Sequence, residues 1–153
     1  MGPQSTASAF VKALDTEDFG AAQGLLAPGC AYAFRGKITR GAGEIVDSYR
    51  AAAAWASASF DRIRYESALT QESPARFRVR FVDLTDHAGQ SHRHECDQVF
   101  TVDAQSLIDR IEHVDLPGER ERLDACLERV GVTRSLQAFR RSRCTTGAGA
   151  GPG

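Results

Sequence analysis

No stretch of this chain approaches the ~20 apolar residues that a membrane-crossing helix needs, and no basic segment leading into an apolar one opens it. Neither membrane insertion nor export is indicated. Among the four cysteines, Cys30, Cys96, Cys126 and Cys144, no Cys-x-x-Cys pair occurs. A zinc knuckle and a disulfide framework are both disfavoured, and the expectation is reduced thiols in a cytoplasmic protein. A Gly-x-Ser-x-Gly elbow, a phosphate-cradling Gly-x-x-x-x-Gly-Lys loop and a strand-linked dinucleotide fingerprint are all missing, so no cofactor is expected. Net charge is scarce as well: 19 basic residues stand against 20 acidic ones, for −1. Arg134, Arg140, Arg141 and Arg143 hold four of the cations, leaving residues 1–133 with 15 against 20, a net −5. A body of that sign argues against nucleic-acid binding.

The 153 residues, 42% apolar and 25% charged, suit one globular domain with an ordinary core. Residues 1–4 read as a flexible N-terminus and 5–133 as the domain, with 134–153 a basic, Gly- and Ala-rich tail. Phe10, Val11 and Leu14 have helical spacing behind Ser5 or Thr6 as N-cap. Asp15-Thr16-Glu17-Asp18 then caps a second helix with Phe19, Ala22, Leu25 and Leu26 on one face, stopped by Pro28-Gly29. Residues 30–34 alternate as a strand, ended by Arg35-Gly36-Lys37, and a third helix covers 44–58 with Ile45, Tyr49, Ala52 and Ala56 facing one way.

From Phe60 the period changes to two. Four strands are expected, at 62–65, 76–81, 92–101 and 107–115, with turns at 86–89 and 103–106. In the first two, every arginine falls on one face and every large apolar residue on the other. A last helix, with Leu123, Cys126, Leu127 and Val130 on one face, ends at Gly131.

If the arginine face points outward, the third of these strands turns His92, His94, Cys96, Gln98 and Phe100 inward. The last turns in Asp109, Ile111, His113 and Asp115. Buried polar groups cost about 1–3 kcal/mol each when unpaired, so this set demands an explanation. One is an acid/base pocket with Asp115 or a histidine as general base. Another is a structural hydrogen-bond network. A third is a metal site on His92-x-His94-x-Cys96, for which no acidic ligand is placed on that face; no metal is expected. Asp115, just before Leu116-Pro117, can also be read as the cap of the last helix.

The order of these elements resembles the nuclear-transport-factor-2-like superfamily, in particular its SnoaL-like polyketide-cyclase branch. The resemblance spans residues 5–116 and is carried by Leu14-Asp15-Thr16-Glu17-Asp18-Phe19, Leu25-Leu26-Ala27-Pro28-Gly29-Cys30-Ala31-Tyr32, Arg40-Gly41-Ala42-Gly43-Glu44-Ile45 and Glu112-His113-Val114-Asp115. It implies an α+β fold in which a cone-shaped, curved, mainly antiparallel sheet packs on three N-terminal helices, with a C-terminal helix added. It also implies a homodimer through the outer sheet face. Ketosteroid isomerases of this group use a tyrosine and two aspartates, where this chain has Phe10, Phe34 and Gln98; the Asp-Arg-Asp set of its epoxide hydrolases is not evident either.

The surviving resemblance is to a cyclase- or dehydratase-like site with Asp115, His113 and His94 as the matching catalytic residues. Tyr32, Phe34, Phe81, Cys96, Gln98, Phe100, Ile111, Trp55 and Phe10 then line the substrate pocket, with Tyr32 a donor to a developing oxyanion. The implied partner is a small apolar, polyketide- or steroid-like ligand, and the implied reaction a cyclisation, isomerisation or dehydration. An aspartate serves as base near neutrality only if burial beside Phe34, Phe81 and Phe100 raises its pKa from ~3.9. A noncatalytic ligand-binding or assembly module of the same fold is the competing expectation.

Overall fold

The computed structural model describes residues 1–132; the basic, Gly/Ala-rich tail expected over 134–153 lies outside the described residues. Three helices precede most of the sheet: α1 (Pro3–Asp15), α2 (Phe19–Gly24) and α3 (Ala42–Ser59). The strands are β1 (Leu26–Phe34), β2 (Lys37–Arg40), β3 (Arg62–Ser73), β4 (Arg76–His87), β5 (Gln90–Val102) and β6 (Ile108–Asp115), followed by α4 (Glu119–Val130). The sheet is open and mixed, in the order β2-β1-β6-β5-β4-β3. Only β1 and β6 run parallel; every other neighbouring pair is antiparallel.

Helix α1 begins earlier than its apolar spacing suggests, because Pro3 occupies the first turn behind Gly2 as N-cap. Proline suits that position, where its absent N–H is not needed. Thr6 is thereby inside the helix and fully buried rather than capping it, and its hydroxyl donates to the Ser106 carbonyl at 2.7 Å, tying α1 to the β5–β6 turn. Asp18 does cap α2, accepting from the Ala21 N–H at 3.1 Å.

Two sequence readings change around β1. Pro28-Gly29 does not follow a helix but lies within the strand, in the irregular stretch between Leu26 and Ala31 where the ladder with β6 shifts register. A proline has no N–H to give a ladder, so an irregularity accommodates it. Arg35-Gly36 does not end strand pairing either. With φ of 47° and 82° it forms a two-residue hairpin loop into β2, a strand the alternation did not reveal. Positive φ at both positions is the pattern of a type I′ turn, whose twist matches paired strands.

The register of the later strands puts the arginines of β4 on the outer face and its large apolar residues on the inner one, beside the inward side chains of β5. Phe77, Val79 and Phe81 of β4 stand opposite Phe100, Gln98 and Cys96 of β5. Phe100 and Gln98 in turn stand opposite Ile111 and His113 of β6, and Cys96 opposite Asp115. Asp109 is the exception. The ladder slips between Thr101 and Val102, so Ile108 is buried and Asp109 is exposed instead of facing in.

Two apolar clusters result. The larger joins α1, α2 and α3 to the inner sheet through Phe10, Tyr49, Phe81 and Phe100, among others. The smaller joins Trp55, Ala56 and Phe60 to Leu123 and Leu127 of α4. Helix α4 covers the His92 end of β5, where Arg129 donates to the Gln90 side chain at 2.7 Å.

Candidate active site

Between the two clusters, the inner face changes from aromatic to polar. Going along β5 toward α4, the rows of partners are Phe77/Phe100/Ile111, Val79/Gln98/His113, Phe81/Cys96/Asp115, Asp83/His94 and Thr85/His92. Three separate arrangements occupy this face.

Gln98 is fully buried and already committed. It accepts from the Tyr49 hydroxyl at 2.7 Å and donates its amide to the Tyr32 hydroxyl at 3.1 Å. This is the structural network among the alternatives above, and it places the Tyr32 oxygen inside the core rather than at a reaction centre. Phe10, Phe81, Phe100 and Ile111 are wholly buried in the larger cluster, where Phe10 meets Tyr49 and Phe100 edge to face at 6.0 and 5.2 Å. Trp55 packs in the smaller cluster against Phe60 at 5.6 Å.

The second arrangement centres on Asp115. Its carboxylate takes a two-pronged hydrogen bond from Arg35, whose Nε and Nη2 lie at 2.6 Å from Oδ2 and Oδ1. Nε2 of His113 lies 2.9 Å from Oδ1. The parallel pairing of β1 with β6, in which Ala33 stands level with Glu112, brings the hairpin residue Arg35 alongside the end of β6. Phe34 floors the cluster: its ring centroid lies 4.6 Å from that of His113 and 4.8 Å from the Arg35 guanidinium carbon. The His113 side chain is 1% exposed, those of Arg35 and Asp115 14% and 30%, so the unit runs from the interior to the surface.

Burial alone lowers the His113 pKa, but the hydrogen bond and negative charge of Asp115, together with the contact of the ring with the Cys96 thiol, overcome it and raise it to about 9. For Asp115 burial acts to raise the pKa, and the hydrogen bonds and charges of Arg35 and His113 outweigh it, holding the carboxyl well below the usual carboxylate range. This corrects the role expected of Asp115. A base near neutrality requires a raised pKa, and here a bidentate guanidinium drives it down. Nor does Asp115 cap the last helix, because the N-cap of α4 is Gly118.

The third arrangement joins His94, which is 2% exposed, to Asp83, which is 1% exposed. They are direct partners across β4 and β5, and Tyr65 of β3 stands on the other side of Asp83. Glu119 in the first turn of α4 comes within 3.4 Å of His94 Nδ1. His92 stacks on His94 with centroids 6.5 Å apart, and its pKa is lowered by burial, partly opposed by the charge of Glu119 and reinforced by Arg129 and Arg122.

The three matching residues are therefore on one face but do not all meet. His113 touches Asp115, whereas His94 lies four residues along β5 from Gln98, the partner of His113. At a rise of ~3.4 Å per residue that is about 14 Å along the strand. Among the described residues, no three His, Cys, Asp or Glu side chains converge as a metal site. Cys30 is no nucleophile: burial and the charge of Asp109 push its thiol up to about 12. An open groove of about 830 Å³ between α2, β1 and α3, lined in part by Gly20, Gln23, Gly43 and Asp47, holds none of the candidate residues.

Arg35 and Asp83 were not among the residues expected from sequence. Asp83 was legible, since the alternation Phe77, Val79, Phe81 continues through Asp83 to Thr85. Arg35 was not, since only the parallel β1–β6 pairing brings it to Asp115.

No protein-family model matches the sequence, and no curated protein matches it. Solved structures do. A protein of Pseudomonas putida KT2440, provisionally described as a polyketide cyclase, is 14% identical and superposes with a TM-score of 0.60 over 78% of this chain and 95% of its own. The ketosteroid isomerase of a Mycobacterium species is 13% identical, with a TM-score of 0.53 over 78% and 97%. A nuclear-transport-factor-2-like protein of unknown function from an Exiguobacterium species is 13% identical, with a TM-score of 0.54 over 73% and 98%. The chain has the nuclear-transport-factor-2-like fold. Proteins with this fold include enzymes acting on small molecules, and a fold by itself leaves the reaction to the residues of the site.

Proposed function

We propose that this protein is a small-molecule enzyme of the SnoaL-like kind, moving a proton next to a carbonyl in an apolar ligand and needing no cofactor. The observation that carries the reading is the Arg35–Asp115–His113 unit on the inner face, with bonds of 2.6, 2.6 and 2.9 Å. A histidine held in its charged form is a donor for an oxygen that becomes negative during reaction, and fixed donors of that kind act without reorganisation. In this reading Asp115 and Arg35 position His113, and His94 with Asp83 accepts the proton at the other end of the polar layer. The separation of His94 from His113 suits a ligand of fused, conjugated rings. When the proton leaves carbon for the imidazole, the C–H electron pair passes through the conjugated system to the carbonyl oxygen.

The ligand class is a polyketide- or steroid-like ketone, and the net change a cyclisation, isomerisation or dehydration. Two copies meet through the outer sheet face, in the cytoplasm. On that face Arg78 and Arg80 converge on Asp97, Arg76 and Arg78 on Glu72, and Arg110 on Glu112.

The test is exchange of α-protons in D2O, followed by proton NMR, for a panel of fused-ring ketones beginning with 2-tetralone. Exchange with the wild type is expected to exceed that of His113→Gln and of His94→Gln by 10²-fold or more. Exchange no faster than the two variants for every ketone overturns the enzyme reading and favours a noncatalytic ligand-binding module.

A further inference from the structure

The Asp115 cluster has more donors than its own carboxylate consumes. Arg35 spends Nε and Nη2 on Asp115, while its Nη1 is buried without a hydrogen-bond partner among the described residues. His113 spends Nε2 on Asp115; its Nδ1 is buried and makes no hydrogen bond of regular geometry, the weak contact of the ring with the Cys96 thiol aside. A buried N–H without an acceptor costs about 1–3 kcal/mol, and two of them belong to cations. With His113 protonated below about 9, two positive charges face the single negative charge of Asp115. Beside them lies the flat wall of Phe34.

We propose that this cluster binds an ionised oxygen acid carried by a flat apolar body, an aromatic or polycyclic carboxylate or ionised enol. The anion takes Nη1 of Arg35 and Nδ1 of His113, and its ring lies against Phe34. The 14% and 30% exposure of the Arg35 and Asp115 side chains gives the ligand a way in. This rests on the small-molecule reading above and narrows it, since a neutral ketone leaves the excess positive charge unbalanced. A guanidinium already locked in a fork by Asp115 loses little further freedom on binding, which favours a planar anion over a hydrated sphere.

Calorimetric titration with 2-naphthoate and its neutral isostere 2-naphthamide decides the point, with acetate and inorganic phosphate as simple anions. The acid is expected to bind at least 10-fold tighter than the amide. Acetate and phosphate are expected to bind at least 100-fold more weakly than naphthoate. In Arg35→Gln the preference for the acid over the amide is expected to vanish. In Arg35→Lys, which keeps the charge and loses the fork, part of the preference is expected to remain.

Equal affinity for acid and amide in the wild type overturns the inference without recourse to any variant. So does a preference that survives Arg35→Gln, or phosphate binding as tight as that of naphthoate. If ketone exchange is found but the acid preference is not, this inference fails alone. If naphthoate is preferred but no ketone exchanges, the enzyme reading fails and the anion site stands.

Discussion

A charged residue in the interior takes its character from the groups around it, and Asp115 and His113 show this in opposite directions. Replacing Asp115 by Asn removes the main opponent of burial at His113, so the imidazole pKa is expected to fall from about 9 to 6.5 or below. Histidine side-chain NMR titration of the wild type and Asp115→Asn checks this; an unchanged titration at His113 contradicts the assigned pairing. Gln98 makes a different prediction, because both of its amide ends are used. In Gln98→Ala, the phenols of Tyr32 and Tyr49 lose that partner and a cavity opens, at a cost of about 2–4 kcal/mol measurable by urea denaturation. A cost below ~1 kcal/mol shows that the phenols find other partners.

Among the elements, the β1–β2 hairpin matters most for the site, because its two-residue loop delivers Arg35. Gly36 sits at φ 82°, where an L side chain is strained. Gly36→Val is expected to cost about 1–2 kcal/mol of stability and to loosen the Arg35 fork, lowering the His113 stability contribution along with it. Thermal melts and the His113 titration, taken together, separate a loop effect from global unfolding. Helix α4 is the counterpart at the other end of the polar layer. It starts at Gly118 and stops at Gly131, with φ of 76° and 73°, and its first turn supplies Glu119 to His94. Its inward face, Leu123, Cys126 and Leu127, matches the 3.6-residue spacing read from sequence.

For the whole molecule, the shifted groups set how stability depends on pH. His113 has a folded pKa above its unfolded value of ~6.5, so its contribution is complete below that value and is lost as pH rises through about 9. Asp115 has a depressed folded pKa, so its contribution is complete above ~3.8 and is lost as pH falls through the acid range. Chemical denaturation across pH 6–10 is expected to show a decline of roughly 1–3 kcal/mol that Asp115→Asn abolishes. A decline of the same size in the variant assigns it to other groups. Assembly makes a separate prediction. Charges that meet across two copies of the outer face are screened by salt, so a dimer built there is expected to weaken between about 0.05 and 0.5 M NaCl, as read by sedimentation; a monomer at every salt concentration removes the dimer.

Local chemistry in the chain itself determined the element types. Period-two alternation made β3, β4 and β5 legible and put His92, His94, Cys96, Gln98 and Phe100 on one face, because successive strand residues must point oppositely. Helical spacing and Asp18 did the same for the helices. Those signals reach only a few residues along the chain. The Arg35–Asp115 clamp joins residues 80 positions apart, and it exists because β1 runs parallel to β6, a long-range pairing with no local signature. The slip at Thr101 that turned Asp109 outward, and the packing that gave Gln98 to two tyrosines rather than to a ligand, were likewise settled in three dimensions. So was the charge of the site: a carboxyl and an imidazole acquire their protonation from neighbours and burial, which only the folded chain supplies.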